Sequence, residues 1–131
     1  MARHITVVND NPEFLEVMRD ILEDERYAVT TIDGDLDGAL SRVLESKPDL
    51  LVLDLRMGSD QLHGWDIAQE IRRAPALQGL PVIICSADVV ALRALAEDMA
   101  EGQSVRTLEK PFGVTQLIDV VDEMLVEAAA S

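Results

Sequence analysis

Short apolar runs rich in β-branched residues alternate along this chain with longer segments in which apolar residues recur every three or four positions. This alternation is typical of βα units that build a parallel sheet, because a strand buried on both faces needs a continuous apolar run and a helix needs one apolar stripe. It predicts five strands, at Ile5 to Val8, Ala28 to Ile32, Leu50 to Leu55, Val82 to Ser86 and Val105 to Leu108.

Helical segments fill the intervals around these strands. Five apolar stripes predict them, at Phe14 to Leu22, Leu36 to Leu44, Ile67 to Ile71, Val89 to Met99 and Leu117 to Leu125. Turn residues agree with these boundaries, since Asn11 and Pro12 offer a cap and a first-turn proline, and Pro48 and Pro75 follow the second and third helices.

Strand composition predicts the order of the strands in the sheet. The third and fourth strands are unbroken apolar runs, whereas the second contains Thr30 and Thr31 and the fifth contains Arg106 and Thr107. We therefore place the second and fifth strands at the edges. The prediction is a flavodoxin-like α/β fold, with a doubly wound five-stranded parallel sheet of order 2-1-3-4-5 and helices on both faces. In such a sheet the ligand site lies outside the carboxyl ends of the strands, beside the point where strand order reverses.

Length and composition indicate a single domain. A chain of 131 residues fits one domain, and 48% apolar residues can fill its core without disulfides or metals. We expect one domain over 1–131, with a core at about 4–127 and a frayed tail at 128–131. Cys85 is the only cysteine and lies in an apolar run, which suits a small buried side chain in a reducing compartment.

The charge balance excludes whole classes of partner. Eleven basic and 25 acidic side chains give a net charge of −14. Nucleic acid and anionic lipid both need clustered Lys and Arg, so we exclude a nucleic-acid binder and expect no membrane partner. No apolar run approaches the roughly 20 residues that cross a bilayer, and the chain from Met1 leads directly into a strand rather than a secretory signal, so we expect a cytoplasmic protein.

Polar residues follow four of the predicted strands at one edge of the sheet. The carboxyl ends of parallel strands meet there, so these residues become neighbours however far apart they are in sequence. They are Asn9 and Asp10 after the first strand, Asp54 in the third, Ser86 at the end of the fourth and Lys110 after the fifth. Neighbouring strands stand about 4.8 Å apart, which leaves room for one divalent ion beside one phosphoryl group.

Asp54 interrupts a run that is otherwise pure core, so its carboxylate needs partners. Two unit charges about 4 Å apart interact by roughly 4 kcal/mol at a protein-like dielectric, so Asp10 and Asp54 repel unless a cation lies between them. Oxygen ligands of this kind suit Mg²⁺, and Lys110 adds a fixed positive charge. Ser86 offers a hydroxyl to a phosphoryl oxygen, and the small Ala87 leaves access. Carboxylates are covalent nucleophiles toward phosphate, and the product is an aspartyl phosphate.

These residues resemble the receiver domains of two-component response regulators, over almost the whole chain. The similarity rests on five elements in order: Asn9-Asp10, the run from Leu51 to Met57 around Asp54, Gly64 opening the third helix, Ser86-Ala87, and Lys110-Pro111-Phe112. The resemblance implies a histidine kinase or histidine phosphotransfer protein as phosphoryl donor and a downstream protein as target. It also implies Mg²⁺ as cofactor, with Mn²⁺ as a substitute.

The resemblance also implies a role for each site residue. Asp54 is the expected phosphoacceptor and a metal ligand, Asp10 binds the metal directly, and Asn9 binds it through water. Ser86 is the expected switch hydroxyl and Lys110 the phosphoryl-binding lysine. Further expectations are the backbone carbonyl of Arg56 as a metal ligand, Ala87, Asp88 and Arg56 flanking the pocket, Thr107 at the second switch position, and a cis peptide bond at Lys110–Pro111.

Three departures from the family pattern bear on these roles. Asn9 replaces a carboxylate, which should lower metal affinity by about 10- to 100-fold if it acts through water; ordinary turn chemistry is the alternative for this residue. Thr107 replaces an aromatic residue, so a ring rotation cannot carry the signal. The loop from Asp54 to Gly64 is two residues longer than is common, and Gly58 stands where proline is usual. An ion pair between Arg56 and Asp88 would shield an acyl phosphate.

The sequence therefore predicts a single-domain receiver that takes a phosphoryl group onto Asp54 with Mg²⁺ and signals by protein–protein interaction. It would phosphorylate and dephosphorylate itself rather than act as a turnover enzyme. The alternative is a pseudo-receiver, a docking module that works without phosphorylation. A flavin-binding protein is disfavoured because the acidic loop after the first strand repels phosphate, and a P-loop nucleotidase is excluded because the Gly-rich Lys-Ser/Thr motif is missing.

Overall fold

Five strands and four helices alternate in the computed structural model, which describes residues 3–33, 39–55, 70–71, 73–75, 79–98 and 105–130. The strands are β1 (His4–Asn9), β2 (Ala28–Asp33), β3 (Leu50–Asp54), β4 (Val82–Ser86) and β5 (Val105–Glu109). The helices are α1 (Pro12–Asp24), α2 (Ala39–Ser46), α3 (Val89–Asp98) and α4 (Val114–Ala130). Residues 70, 71 and 73 are also helical, and the rest of the helix expected around Ile67 to Ile71 lies outside the described residues.

The sheet is parallel throughout and has the order β2-β1-β3-β4-β5, so the predicted topology is confirmed. Its register pairs Val8 with Leu53 and Asp54 with Cys85. The residue after Val8 therefore stands beside Asp54 at the carboxyl edge. The strand order reverses between β1 and β3, which puts this pair at the switch point where doubly wound sheets bind their ligands.

Both faces of the central strands are buried, and the residues alternate between two cores. Val8, Leu53 and Ile84 pack on the face covered by α2 and α3, whereas Val52 and Ile83 pack on the face covered by α1 and α4. Each fully buried aliphatic side chain stabilises the fold by about 1.5–3 kcal/mol. The edge strands β2 and β5 are mostly half-buried, as predicted from their threonines and arginine.

Helix α1 begins and ends with well-formed caps. Asn11 is the N-cap, and its side-chain oxygen accepts hydrogen bonds from the backbone N–H groups of Glu13 and Phe14. At the other end, Tyr27 N–H donates to the Leu22 carbonyl and Arg26 N–H to the Glu23 carbonyl, which is the Schellman pattern. The first turn of α1 is thereby fixed directly after the carboxyl end of β1.

Helix α4 continues to Ala130, so the backbone of 128–130 is helical, whereas we expected this segment to fray. The physical reason is that alanine has the highest helix propensity of all residues. No helix within the described ranges is long and apolar enough to span a bilayer.

Arg26 occupies the left-handed region with φ of 70°, which is costly for any side chain with a Cβ. We expect Arg26→Gly to raise the free energy of unfolding by about 0.5–1 kcal/mol, measured by urea denaturation, because glycine adopts this conformation without strain. The matched control is Glu25→Gly, where φ is −89° and glycine relieves nothing. Equal destabilisation by both substitutions would contradict the prediction.

Candidate functional site

Two side chains converge on one oxygen of Asp54 at the carboxyl edge of the sheet. The Asn9 amide nitrogen donates to Asp54 Oδ2 at 2.8 Å, and the Lys110 ammonium forms an ion pair with the same Oδ2. Asn9 is 1% exposed, and the side chains of Asp54 and Lys110 are 10% and 24% exposed. These two donors contact the carboxylate in a nearly buried position at the carboxyl edge of the sheet.

Three strands of the sheet bring these residues together. Asn9 ends β1, Asp54 ends β3 beside it, and Lys110 follows β5 two strands further along. The Lys110 backbone N–H donates to the Ser86 carbonyl at 2.9 Å, which ties the loop after β5 to the end of β4. The predicted cis peptide bond between Lys110 and Pro111 is present.

Asn9 uses both ends of its amide. Its Oδ1 accepts a hydrogen bond of 2.7 Å from the backbone N–H of Asn11, which is an Asx turn, while its nitrogen faces Asp54. The turn chemistry considered from sequence is therefore observed, and the same side chain also contacts the central carboxylate directly. A neutral amide in this place donates to Asp54, whereas a carboxylate would repel it.

Ser86 ends β4 and is 2% exposed. Its hydroxyl oxygen accepts a hydrogen bond of 3.0 Å from the Asp88 backbone N–H. Asp88 in turn caps helix α3, because its Oδ1 accepts from Ala91 N–H at 3.0 Å. Ala87 between them is exposed and small, so it leaves the edge of the pocket open. The Asp88 carboxylate thus serves as a helix cap. Its expected ion-pair partner, Arg56, lies outside the described residues.

The Phe14 ring lies beside the Lys110 ammonium, and the Phe112 ring packs against Phe14. The sequence alone did not indicate a role in the site for Phe14. The Lys110 Nζ lies 4.3 Å from the centroid of the Phe14 ring, which we had expected to be only a core residue of the first helix. The Phe112 ring meets Phe14 edge to face, with centroids 6.4 Å apart. The available signal was position, since Phe14 falls in the first turn of α1, directly after the loop that carries Asp10.

The oxygen donors at this edge fit a hard divalent cation. Magnesium sites use one or two carboxylates and complete the shell with water or phosphate oxygens. Asp10 is half-buried and follows Asn9 at the end of β1, so Asp10 and Asp54 are the carboxylates available to hold the ion. Among the described residues no three His, Cys, Asp or Glu side chains form a cluster that could hold a metal, and position 9 contributes an amide rather than a third carboxylate. Arg56, Gly58, Gly64 and the rest of 56–69 lie outside the described residues.

A family model of the response regulator receiver domain matches residues 5–122. The chain belongs to this family. Receiver domains of two-component systems accept a phosphoryl group, bind Mg²⁺ in their active site, and interact with histidine kinases and downstream effectors.

Individual receiver proteins show the same similarity. The nitrogen assimilation regulatory protein NtrX of Azorhizobium caulinodans is 30% identical over 95% of this chain, which spans 26% of NtrX. The chemotaxis response regulator CheY4 of Vibrio cholerae has the same fold, with a TM-score of 0.78, 20% identity and coverage of 95% of this chain and 99% of that one. The receiver domain of the sensor histidine kinase PA1611 of Pseudomonas aeruginosa superposes with a TM-score of 0.75 at 25% identity, covering 95% and 98% of the two chains; its structure holds a magnesium ion in the active-site cleft.

Cys85 lies behind the receiver site as the register partner of Asp54 and is 0% exposed. Burial raises the pKa of its thiol to about 12, and the nearby Lys110 ammonium offsets this only in part. We expect a thiol reagent to modify native Cys85 at least about 100-fold more slowly than the urea-unfolded chain, since reaction needs an exposed thiolate. Mass spectrometry of the time course measures both rates.

The matched control for this prediction is Ala87→Cys in a Cys85→Ser background, because position 87 is exposed and only two residues away. Its thiol should react rapidly in the folded domain. A native Cys85 that reacts as fast as this control would mean that the layer behind Asp54 is open to solvent.

Proposed function

We propose that Asp54 is the phosphoacceptor of this receiver and that it takes the phosphoryl group from a phosphohistidine of a kinase or phosphotransfer protein, with Mg²⁺ or Mn²⁺ bound. The observation that carries the proposal is the contact of the Lys110 ammonium with the Asp54 carboxylate at the switch point of the sheet. An apolar strand does not end in a nearly buried carboxylate unless partners stabilise it. Here the partners are a cation and an amide that together fix its direction.

In the proposed transfer, an Asp54 oxygen attacks the phosphorus atom and forms the new O–P bond. The bond between phosphorus and the donor imidazole nitrogen breaks, and its electron pair returns to the imidazole ring. After the transfer, the Lys110 ammonium pairs with a phosphoryl oxygen. Its positive charge thereby neutralises part of the negative charge that the phosphoryl group brings to Asp54. Such fixed positive groups around a transferring phosphoryl are a principal source of rate enhancement.

Asp10 and Asp54 are the residues that would hold the metal, which supplies charge neutralisation between two anionic groups when it is bound. Asn9 donates to Asp54 through its amide nitrogen, and we propose that its Oδ1, which has a second acceptor site, accepts a hydrogen bond from a water bound to the ion. The Arg56 carbonyl belongs to the same proposed set.

Ser86 is the proposed switch hydroxyl. A hydroxyl has one donor and two acceptor sites, so an oxygen that accepts from Asp88 N–H can still donate to a phosphoryl oxygen. Thr107 is half-buried on β5 and has no ring to rotate. The signal is therefore carried by Ser86 and the backbone near it, and the output is the binding of a downstream protein. The domain modifies itself and does not turn over substrate as an enzyme.

A phosphorylation-independent docking module is the second candidate function. The observation in its favour is that two groups of the chain itself, the Asn9 amide and the Lys110 ammonium, contact the Asp54 carboxylate, as they would if this carboxylate had a purely structural role. A module of this kind would keep the same site geometry as a structural feature. The two candidates differ in whether Asp54 reacts.

Incubation with acetyl phosphate and Mg²⁺ should give one phosphoryl adduct by intact mass. We expect the adduct to disappear in Asp54→Asn and to persist in Asp20→Asn, which removes an exposed carboxylate of α1 far from the site. The reason is that Asp54 is a carboxylate nucleophile in direct contact with the Lys110 ammonium, whereas Asp20 lies exposed on α1. An unmodified wild-type chain would favour the docking module, and an adduct on Asp54→Asn would show that another residue reacts.

Asn9→Asp should bind Mg²⁺ about 10- to 100-fold more tightly than the wild type, measured by calorimetry, because it restores a charge near the ion. Without the metal the same variant should lose about 1–3 kcal/mol of stability, since a donor 2.8 Å from Asp54 becomes a like charge. Added Mg²⁺ should recover this loss. Asn9→Ala is the control, because it removes the hydrogen bond without adding charge and should gain no metal affinity. If Asn9→Asp and the wild type bind Mg²⁺ with equal affinity, the residue at position 9 does not contact the ion and this part of the proposal is wrong.

A further inference from the structure

We propose that the Phe14 ring is the positioning residue that holds the Lys110 ammonium at Asp54. This inference deepens the proposed function and rests on it for its consequences in phosphoryl transfer. Its structural basis is independent, since it concerns how a flexible lysine side chain stays in one place.

The Lys110 ammonium is enclosed between an aromatic face and a carboxylate. Its Nζ lies 4.3 Å from the centroid of the Phe14 ring and pairs at the same time with Asp54 Oδ2. A cation within about 6 Å of a ring centroid is attracted by the negative face of the ring, and the attraction grows as water is excluded. Only 24% of the Lys110 side chain is exposed, so water screens this attraction less than it would at a fully exposed lysine.

Phe14 is itself fixed by its surroundings. Its backbone N–H donates to the Asn11 side chain in the N-cap of α1, and Phe112 packs edge-on against its ring with an interplanar angle of 88°. Edge-to-face packing is a favoured geometry for two rings. The ring is thus anchored by α1 on one side and by the loop that carries Lys110 on the other.

An aromatic face provides a function here that an aliphatic side chain of similar size does not. Lysine loses much rotational freedom when its ammonium is held, and a hydrogen-bonding partner would occupy N–H groups that the oxygens of Asp54 and the phosphoryl need. The ring attracts the charge without accepting a conventional hydrogen bond from it. Lys110 can therefore move from carboxylate to phosphoryl oxygen while it remains over Phe14.

The direct test is NMR of the Lys110 side chain in the full chain. Protons near the face of an aromatic ring shift upfield, so the ε-methylene protons of Lys110 should resonate upfield of those of the exposed Lys47, the other lysine of the sequence. Phe14→Leu should abolish the shift, and Phe14→Tyr, which keeps the ring face, should retain it. A Lys110 shift equal to that of Lys47 in the wild type would overturn the proposal.

The functional test compares beryllofluoride, a phosphoryl mimic, with Mg²⁺ alone. We expect Phe14→Leu to weaken beryllofluoride binding and slow the reaction with acetyl phosphate by about three- to tenfold, with Mg²⁺ affinity unchanged and with Phe14→Tyr close to wild type. A parallel loss of Mg²⁺ affinity would indicate a general distortion and overturn the positioning role. So would wild-type behaviour of Phe14→Leu in both assays.

The two proposals fail in distinguishable ways. If the wild type forms no phosphoryl adduct while the Lys110 shift depends on the Phe14 ring as described, the proposed function fails and the positioning role is supported. If the adduct forms normally in Phe14→Leu and the Lys110 shift is unaltered, the positioning role fails and the proposed function stands.

Discussion

The whole site depends on how one carboxylate is accommodated at the end of an apolar strand. Asp54 is nearly buried, and burying an ionised group without partners is among the most costly events in folding. The Asn9 amide and the Lys110 ammonium meet this cost on a single oxygen. Both groups lie at strand ends that the sheet order brings to the same edge. The sheet topology therefore places the two groups that stabilise the Asp54 carboxylate.

Most of the fold was predictable because its signals are local. The buried strands are continuous apolar runs, and Thr30 and Arg106 mark the edges, so the order of strands followed from composition and from the few connections that parallel sheets allow. The strand ends differ by one residue in several places, for example at Asp54, where β3 ends before the expected Leu55. Strand ends depend on pairing with neighbours, which composition does not specify.

The members of the site were predictable and their contacts were not. Asp54, Lys110 and Asn9 could be brought to one edge by topology alone. The direction of the Asn9 amide depends on a hydrogen bond to the backbone of the next turn, and the place of Phe14 depends on the rotation of α1 about its axis. The turn is local, but the contact of the Asn9 amide with Asp54 and the rotation of α1 are tertiary details, and an apolar stripe at helical spacing gives no sign that one of its rings faces an ammonium.

The hydrogen bond between Ser86 and Asp88 connects the proposed switch hydroxyl to helix α3. The Ser86 oxygen holds the N–H of the residue whose carboxylate caps α3. A rotation of the Ser86 side chain by one staggered step breaks this bond and leaves the start of the helix less well anchored. In the proposed switch, with no ring at Thr107 to rotate, the coupling between Asp54 and the outer surface would begin with the Ser86 hydroxyl and the first turn of α3.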